Sequence, residues 1–198
     1  ISNESYPSRL QVNGMVFSLD DLKSVDTWVD LNENANVTLL TQTVSVDDGT
    51  RYVFKGWSGD KSNSTLLSLQ MSQPLELVAQ FEKQFYLRVR SEFGNPDGEG
   101  WYDNGIRAIL SVSSPDYISA TERYTFDSWS GSQLKQPVVS VLMDRPRTMT
   151  AQWKRQLLVS IAVLGSNGQP LQAEQLKMRL EAPNGTEIAQ PLAGNVWL

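Results

Sequence analysis

The side chains with the most chemistry to offer crowd into one glycine-rich stretch. Asp97-Gly98-Glu99-Gly100-Trp101-Tyr102-Asp103 places three carboxylates within seven residues. Carboxylate-rich turns hold Ca2+, which takes roughly six to eight oxygen ligands. The spacing is not that of an EF-hand loop. Asp97, Glu99 and Asp103 are therefore candidates for a structural Ca2+ site, with a solvated turn as the plain alternative. Paired acids also hydrolyse glycosides when they flank a cleft, but nothing in the pattern singles out two acids for that role.

The chain has neither histidine nor cysteine. Disulfides, zinc–thiolate sites, imidazole ligands and every histidine-based dyad or triad are thereby excluded. Serine is abundant, yet without histidine only a Ser–Lys type of activation is left, and no Ser-x-x-Lys motif is placed to support it. The expectation is a protein that is not an enzyme and carries no resident cofactor.

Aromatic residues are the second group of interest. Trp28, Trp101 and Tyr102 stand beside turns, where a ring can stack on a sugar or a partner. Trp57 and Trp129 each precede Ser-Gly. An indole there either stacks on a ligand or plugs the end of a small core, burying ~150–250 Å². Four Asn-x-Ser/Thr triplets, at Asn3, Asn36, Asn63 and Asn184, are candidate glycosylation acceptors.

The elements that position these residues come from a duplication. Arg51–Phe81 returns as Arg123–Trp153 at a constant spacing of 72 residues, with Tyr52, Phe54, Trp57 and Met71 answered by Tyr124, Phe126, Trp129 and Met143. Trp28-Val-Asp30 is echoed by Trp101-Tyr-Asp103, and Ala35 by Ala108. Period-2 alternation runs throughout: Leu67, Leu69 and Met71, then Leu75, Leu77, Ala79 and Phe81, point inward between polar neighbours. Asn13-Gly14 between apolar residues predicts a hairpin over Leu10–Phe17, and Ser18–Leu22 can start one helical turn. Phe81–Phe85 and Trp153–Leu157 leave about three residues to join one copy to the next. Beyond Gly165 the text changes to a different β module, with two Asn-Gly turns around Leu176–Leu180.

The expected architecture is all-β: small tandem modules, β-grasp-like or Ig-like sandwiches, in an elongated arrangement. The modules are 1–83, 84–154 and an incomplete 155–198. A net charge of −5 with no basic stripe gives nucleic-acid binding no support. No apolar run is long enough to span a membrane as a helix. The two ends suggest an excerpt of a longer protein.

Tyr-x-Phe-x-x-Trp-Ser-Gly, then a strand ending in Met, then a strand closing on Ala-Gln-Phe or Ala-Gln-Trp, resembles the divergent internalin B-repeat family of surface proteins over residues 8–154. The family's Trp-Tyr-x-x-Gly segment looks like Trp101–Gly105, whereas the first copy has Leu31-Asn32 where that glycine is expected. The last part looks like the opening of an Ig-like or carboxypeptidase-regulatory-like β module. The resemblance implies tandem units on an extracellular bacterial or archaeal protein, acting as stalk, adhesin segment or S-layer component. Two functions follow: a structural spacer that packs against neighbouring modules or identical subunits, in a lattice or filament; or an adhesin using Trp28, Trp101 and Tyr102 on cell-surface glycans.

Overall fold

The computed structural model describes residues 9–18, 24–58, 62–130, 134–160 and 164–169, with the backbone of short strand segments at 180–181, 187–188 and 196–197. Among these residues there is no helix, and the chain is all-β. Residues 19–22 of the expected helical turn, most of the third module, Asn3 and Asn184 lie outside the described residues. Contacts divide the chain into two units. The first comprises Ile1–Arg90, Asp97–Ser111 and Val138–Met149; the second comprises Ser91–Pro96, Val112–Pro137 and Thr150–Leu198.

In the first unit, β1 (Arg9–Val12) and β2 (Met15–Ser18) form the expected hairpin. Asn13 and Gly14 have φ of 45° and 86°, the pair of positive values that a type I′ turn requires. β1 pairs with β3 (Asn34–Leu39), which pairs with β6 (Leu66–Gln70). A second antiparallel sheet runs β4 (Thr43–Asp47), β5 (Thr50–Ser58), β7 (Val78–Arg90), β8 (Gly100–Asp103). β9 (Arg107–Ser111) and β12 (Val138–Leu142) pair separately. Strict alternation buries Val12, Val37, Leu39, Leu67 and Trp57 in one cluster, flanked by Leu10, Phe17, Phe54, Leu69, Leu77, Ala79 and Phe81. Leu75 departs from the expected inward set. It is 48 % exposed because it precedes β7 instead of lying in its pleat.

In the second unit, β10 (Asp116–Ser119) pairs with β11 (Glu122–Trp129) and β11 with β13 (Arg147–Val159). β14 (Leu180–Glu181) and β15 (Glu187–Ile188) pair with each other, and β16 (Val196–Trp197) adds to β13. The core is aromatic. Trp129 is fully buried, Phe126 meets Trp129 and Trp153, and Phe93 stacks on Tyr124 at 3.9 Å between centroids.

The duplication is reproduced bond by bond. Trp57 Nε1 donates to the Ser64 carbonyl at 3.0 Å, and Trp129 Nε1 to the Gln136 carbonyl at 3.1 Å. Both strands bulge just before the tryptophan, between Phe54 and Gly56 and between Phe126 and Ser128. Arg51 Nε donates to Gln84 Oε1 at 2.8 Å, and Arg123 Nε to Gln156 Oε1 at 2.9 Å. The short connections read between copies are not loops: Phe81–Phe85 lies inside β7 and Trp153–Leu157 inside β13.

Asn32 takes the place of the glycine missing from the first copy. Its φ is +67°, against +84° for Gly105. Its N–H donates to the Met71 carbonyl as that of Gly105 donates to Met143. Asparagine is the side-chain-bearing residue that tolerates this left-handed conformation best. Asn32→Gly is expected to be neutral, and Asn32→Ala to cost about 1 kcal/mol by denaturant unfolding.

Candidate functional site

The three carboxylates of the glycine-rich stretch are not gathered; each has its own partners. Asp97 accepts from the Gly98 N–H at 2.7 Å. Glu99 accepts from the Tyr86 hydroxyl at 2.7 Å and from the Val89 N–H at 2.9 Å. Asp103 faces Lys55 Nζ at 3.1 Å and Gln84 Nε2 at 2.8 Å. Among the described residues no three acids are grouped so as to hold a metal ion. Strand placement, not alternation, accounts for the dispersal: Asp97 bonds the neighbouring N–H in its own turn, Glu99 reaches Tyr86 and Val89 on β7, and Asp103 reaches Gln84 on β7 and Lys55 on β5.

What the stretch does build is a latch within the first unit. β8 adds to the edge of β7, with Trp101 opposite Tyr86 and Asp103 opposite Gln84. The Arg51 guanidinium lies 4.3 Å from the Trp101 ring, and Tyr86 meets that ring edge-on at 5.1 Å. The Tyr102 hydroxyl donates to the Gly98 carbonyl at 2.9 Å. Trp101 and Tyr102 are thus half-buried and engaged with first-copy strands or their own turn. Lys55 also reaches Glu82 at 3.2 Å, so β5, β7 and β8 share one charge cluster. These groups are more than a third exposed, so each ion pair contributes at most about 1 kcal/mol. Arg51 over the indole adds about 0.5–1 kcal/mol.

Glycines make room for the latch. Gly49, in the β4–β5 turn, lies so close to Pro146 that an added Cβ would sit 2.7 Å from the proline Cβ. Its carbonyl accepts from the Tyr86 N–H. First-copy Gly49, Arg51 and Lys55 therefore receive second-copy Trp101, Asp103 and Pro146, with Tyr86 at the start of the second copy packed beside Trp101. The repeated Arg–Gln pair, Arg51–Gln84 and Arg123–Gln156, was a usable sequence signal for these latch residues, because both members recur at the 72-residue spacing. Lys55 has no such signal, since Asp127 stands at its place in the second copy.

The Gln84 amide and the Lys55 ammonium hold the Asp103 carboxyl below its ordinary value of 3.8. The Tyr86 hydroxyl and then the Val89 N–H hold Glu99 below 4.5. A carboxyl depressed in the folded state stabilises above its unfolded pKa, and that contribution is lost as pH falls through the folded one. The thermal midpoint is expected to drop between about pH 5 and pH 3, and Asp103→Asn to flatten part of that slope in melts across this range.

Trp28, the counterpart of Trp101, is 101 % exposed. It borders an open cleft of about 390 Å³ with Leu31, Met71, Pro74 and Leu75. Of the repeat anchors, Trp57, Trp129 and Met143 are buried, Phe54, Phe126, Tyr124 and Met71 half-buried, and Tyr52 exposed. The side chains of Asn36, on β3, and Asn63, in the segment before β6, are exposed.

A duplicated all-β module with a latch between its copies defines the class: a tandem-repeat protein. Residues 30–85 match the family model of the divergent InlB B-repeat domain, which confirms for the first copy the resemblance read from its sequence. This is a family of surface-associated repeat modules, generally non-catalytic, and surface association is what the match implies. The second copy lies outside the matched stretch and joins it through internal repetition. No curated protein and no solved structure matches the chain significantly. No described helix is long and apolar enough to cross a membrane.

Proposed function

We propose that this chain is a non-catalytic spacer of a prokaryotic cell-surface or envelope-layer protein, in which consecutive β modules hold distance outside the cell. The observation that carries the reading is the latch. Trp101, Asp103 and Pro146 of one copy engage Arg51, Lys55 and Gly49 of the preceding one, and the end of the first copy and the start of the second share β7. A flexible tether needs none of these contacts, and a stiff joint needs all of them. Neighbouring modules, or identical subunits in a lattice, are the partners in this reading. Asn63 is the better placed glycan acceptor, because Asn36 lies within a paired strand.

The test uses the absence of native cysteine. Spin labels on Leu66→Cys and Val138→Cys, exposed positions 72 residues apart in β6 and β12, report the distance between copies. A single narrow distribution is expected, and Trp101→Ala should broaden it. A broad distribution in the parent chain would remove the spacer reading. The adhesin alternative keeps one specific support, the uncovered indole of Trp28. A glycan array with Trp28→Ala as control examines it.

A further inference from the structure

Trp28, Met71 and Pro74 are the repeat counterparts of Trp101, Met143 and Pro146. In the second copy Trp101 is covered by Arg51 and Tyr86, Pro146 packs against Gly49, and Met143 is fully buried. Among the described residues, the same face of the first copy is bare. Trp28 is 101 % exposed, Leu31 71 % and Leu75 48 %, while Met71 is only half-buried and lines the cleft. Asp30, the counterpart of the Asp103 that meets Lys55, is also exposed.

The pairing is not peculiar to one junction. Trp101 of β8 stands opposite Tyr86, and in the second unit Trp197 of β16 stands opposite Leu158, again antiparallel. Leu158 follows Tyr86 by 72 residues. Two tryptophan-bearing segments thus add to equivalent positions of two equivalent strands, and a third, Trp28–Asp30, is left without a strand partner among the described residues.

We propose that the face formed by Trp28, Asp30, Pro74 and Leu75 is a docking surface for a further repeat of the same kind, held by edge-strand pairing of Trp28–Asp30. The occupant is defined by the acceptor seen at the existing junction. It has a turn glycine, an arginine two residues later, a lysine four residues after that, and an open strand edge, as in Gly49, Arg51 and Lys55 beside β7. A second molecule of this chain is a poor occupant. Its first-copy acceptor is already filled, and its second copy has Thr121 where Gly49 admits the proline, with β16 on the strand edge. A carbohydrate leaves the Pro74 side of the face and the acid at Asp30 unexplained.

The inference rests on the repeat-array reading, and its test is separate from the spin-label distance. Residues 1–100 are fused ahead of residues 28–198, so that an internal Trp28 follows an acceptor copy as Trp101 now does. Tryptophans carry a 5-fluoro label, and the internal Trp28 resonance is assigned by its loss in the internal Trp28→Ala variant. The expected result is that this resonance loses its solvent isotope shift, and that the internal Trp28→Ala change lowers the thermal midpoint while Trp28→Ala in the 198-residue chain does not. An internal Trp28 as solvent-responsive as the first, with the inserted Trp57 resonance protected, would overturn the proposal.

Should the inserted copy not fold, the acceptor is vacated in the existing chain by Trp101→Ala with Pro146→Ala. That variant is titrated into labelled parent chain. A saturable shift of the Trp28 resonance supports the docking face, and an unmoved resonance overturns it. Glycan-array binding that is lost in Trp28→Ala assigns the face to a sugar and also overturns it. Failure here alongside a narrow Leu66–Val138 distance would leave the spacer reading standing.

Discussion

Trp129→Ala is expected to destabilise the chain by about 3–5 kcal/mol, the cost of emptying a large buried aromatic site. Trp129 is fully buried, its ring meets Phe126 at 5.4 Å, and its indole N–H is satisfied by the Gln136 carbonyl. The substitution leaves a cavity and strands that carbonyl. Trp129→Phe should recover much of the packing but not the hydrogen bond. Urea unfolding of the parent and both variants should give the order parent, phenylalanine, alanine. A loss under about 1 kcal/mol for alanine would mean that the indole is not a core plug. Trp57→Ala, in the equivalent site at 5 % exposure, should behave alike.

Gly94→Ala is the second large effect, expected at about 2–4 kcal/mol from a left-handed alanine plus an overpacked core. Gly94 has φ of +73°, and an added Cβ would collide with the Ser113 carbonyl oxygen and lie 2.5 Å from Trp153 Cη2. Its N–H and carbonyl are both fixed, to Asp116 Oδ2 and to the Ser113 N–H, so the backbone has little room to move. Gly14→Ala is the control. Its φ is +86° with nothing within 4 Å of a Cβ, so only the backbone cost of roughly 1–2 kcal/mol applies. Equal losses at the two sites, measured by thermal melts, would show that the contact with Trp153 carries no weight.

The period-2 pattern and the 72-residue spacing made the strands, the tryptophan plugs and the hairpin at Asn13-Gly14 legible from residue types alone. These are local signals: alternation, turn chemistry and repetition act over a few residues. The latch was not legible in the same way. That three acids in seven residues go to three separate neighbours depends on which strand β8 joins. Edge pairing leaves no mark within the strand itself. Trp28 and Trp101 read alike, yet one is bare and the other covered. Their difference comes from Arg51 and Tyr86, which only the tertiary arrangement brings to Trp101. Asn32 in the glycine position was misleading for the opposite reason, since identity changed while conformation did not.

β7 runs unbroken for 13 residues, with Phe81 serving the first core and Tyr86 the latch. A gene fragment ending at residue 83 would sever that strand, removing the segment to which β8 adds and exposing fresh backbone to aggregation. Repeats joined this way have no natural cutting point. Loss or gain of copies during evolution must then keep whole periods, because any other excision leaves half a strand without a neighbour.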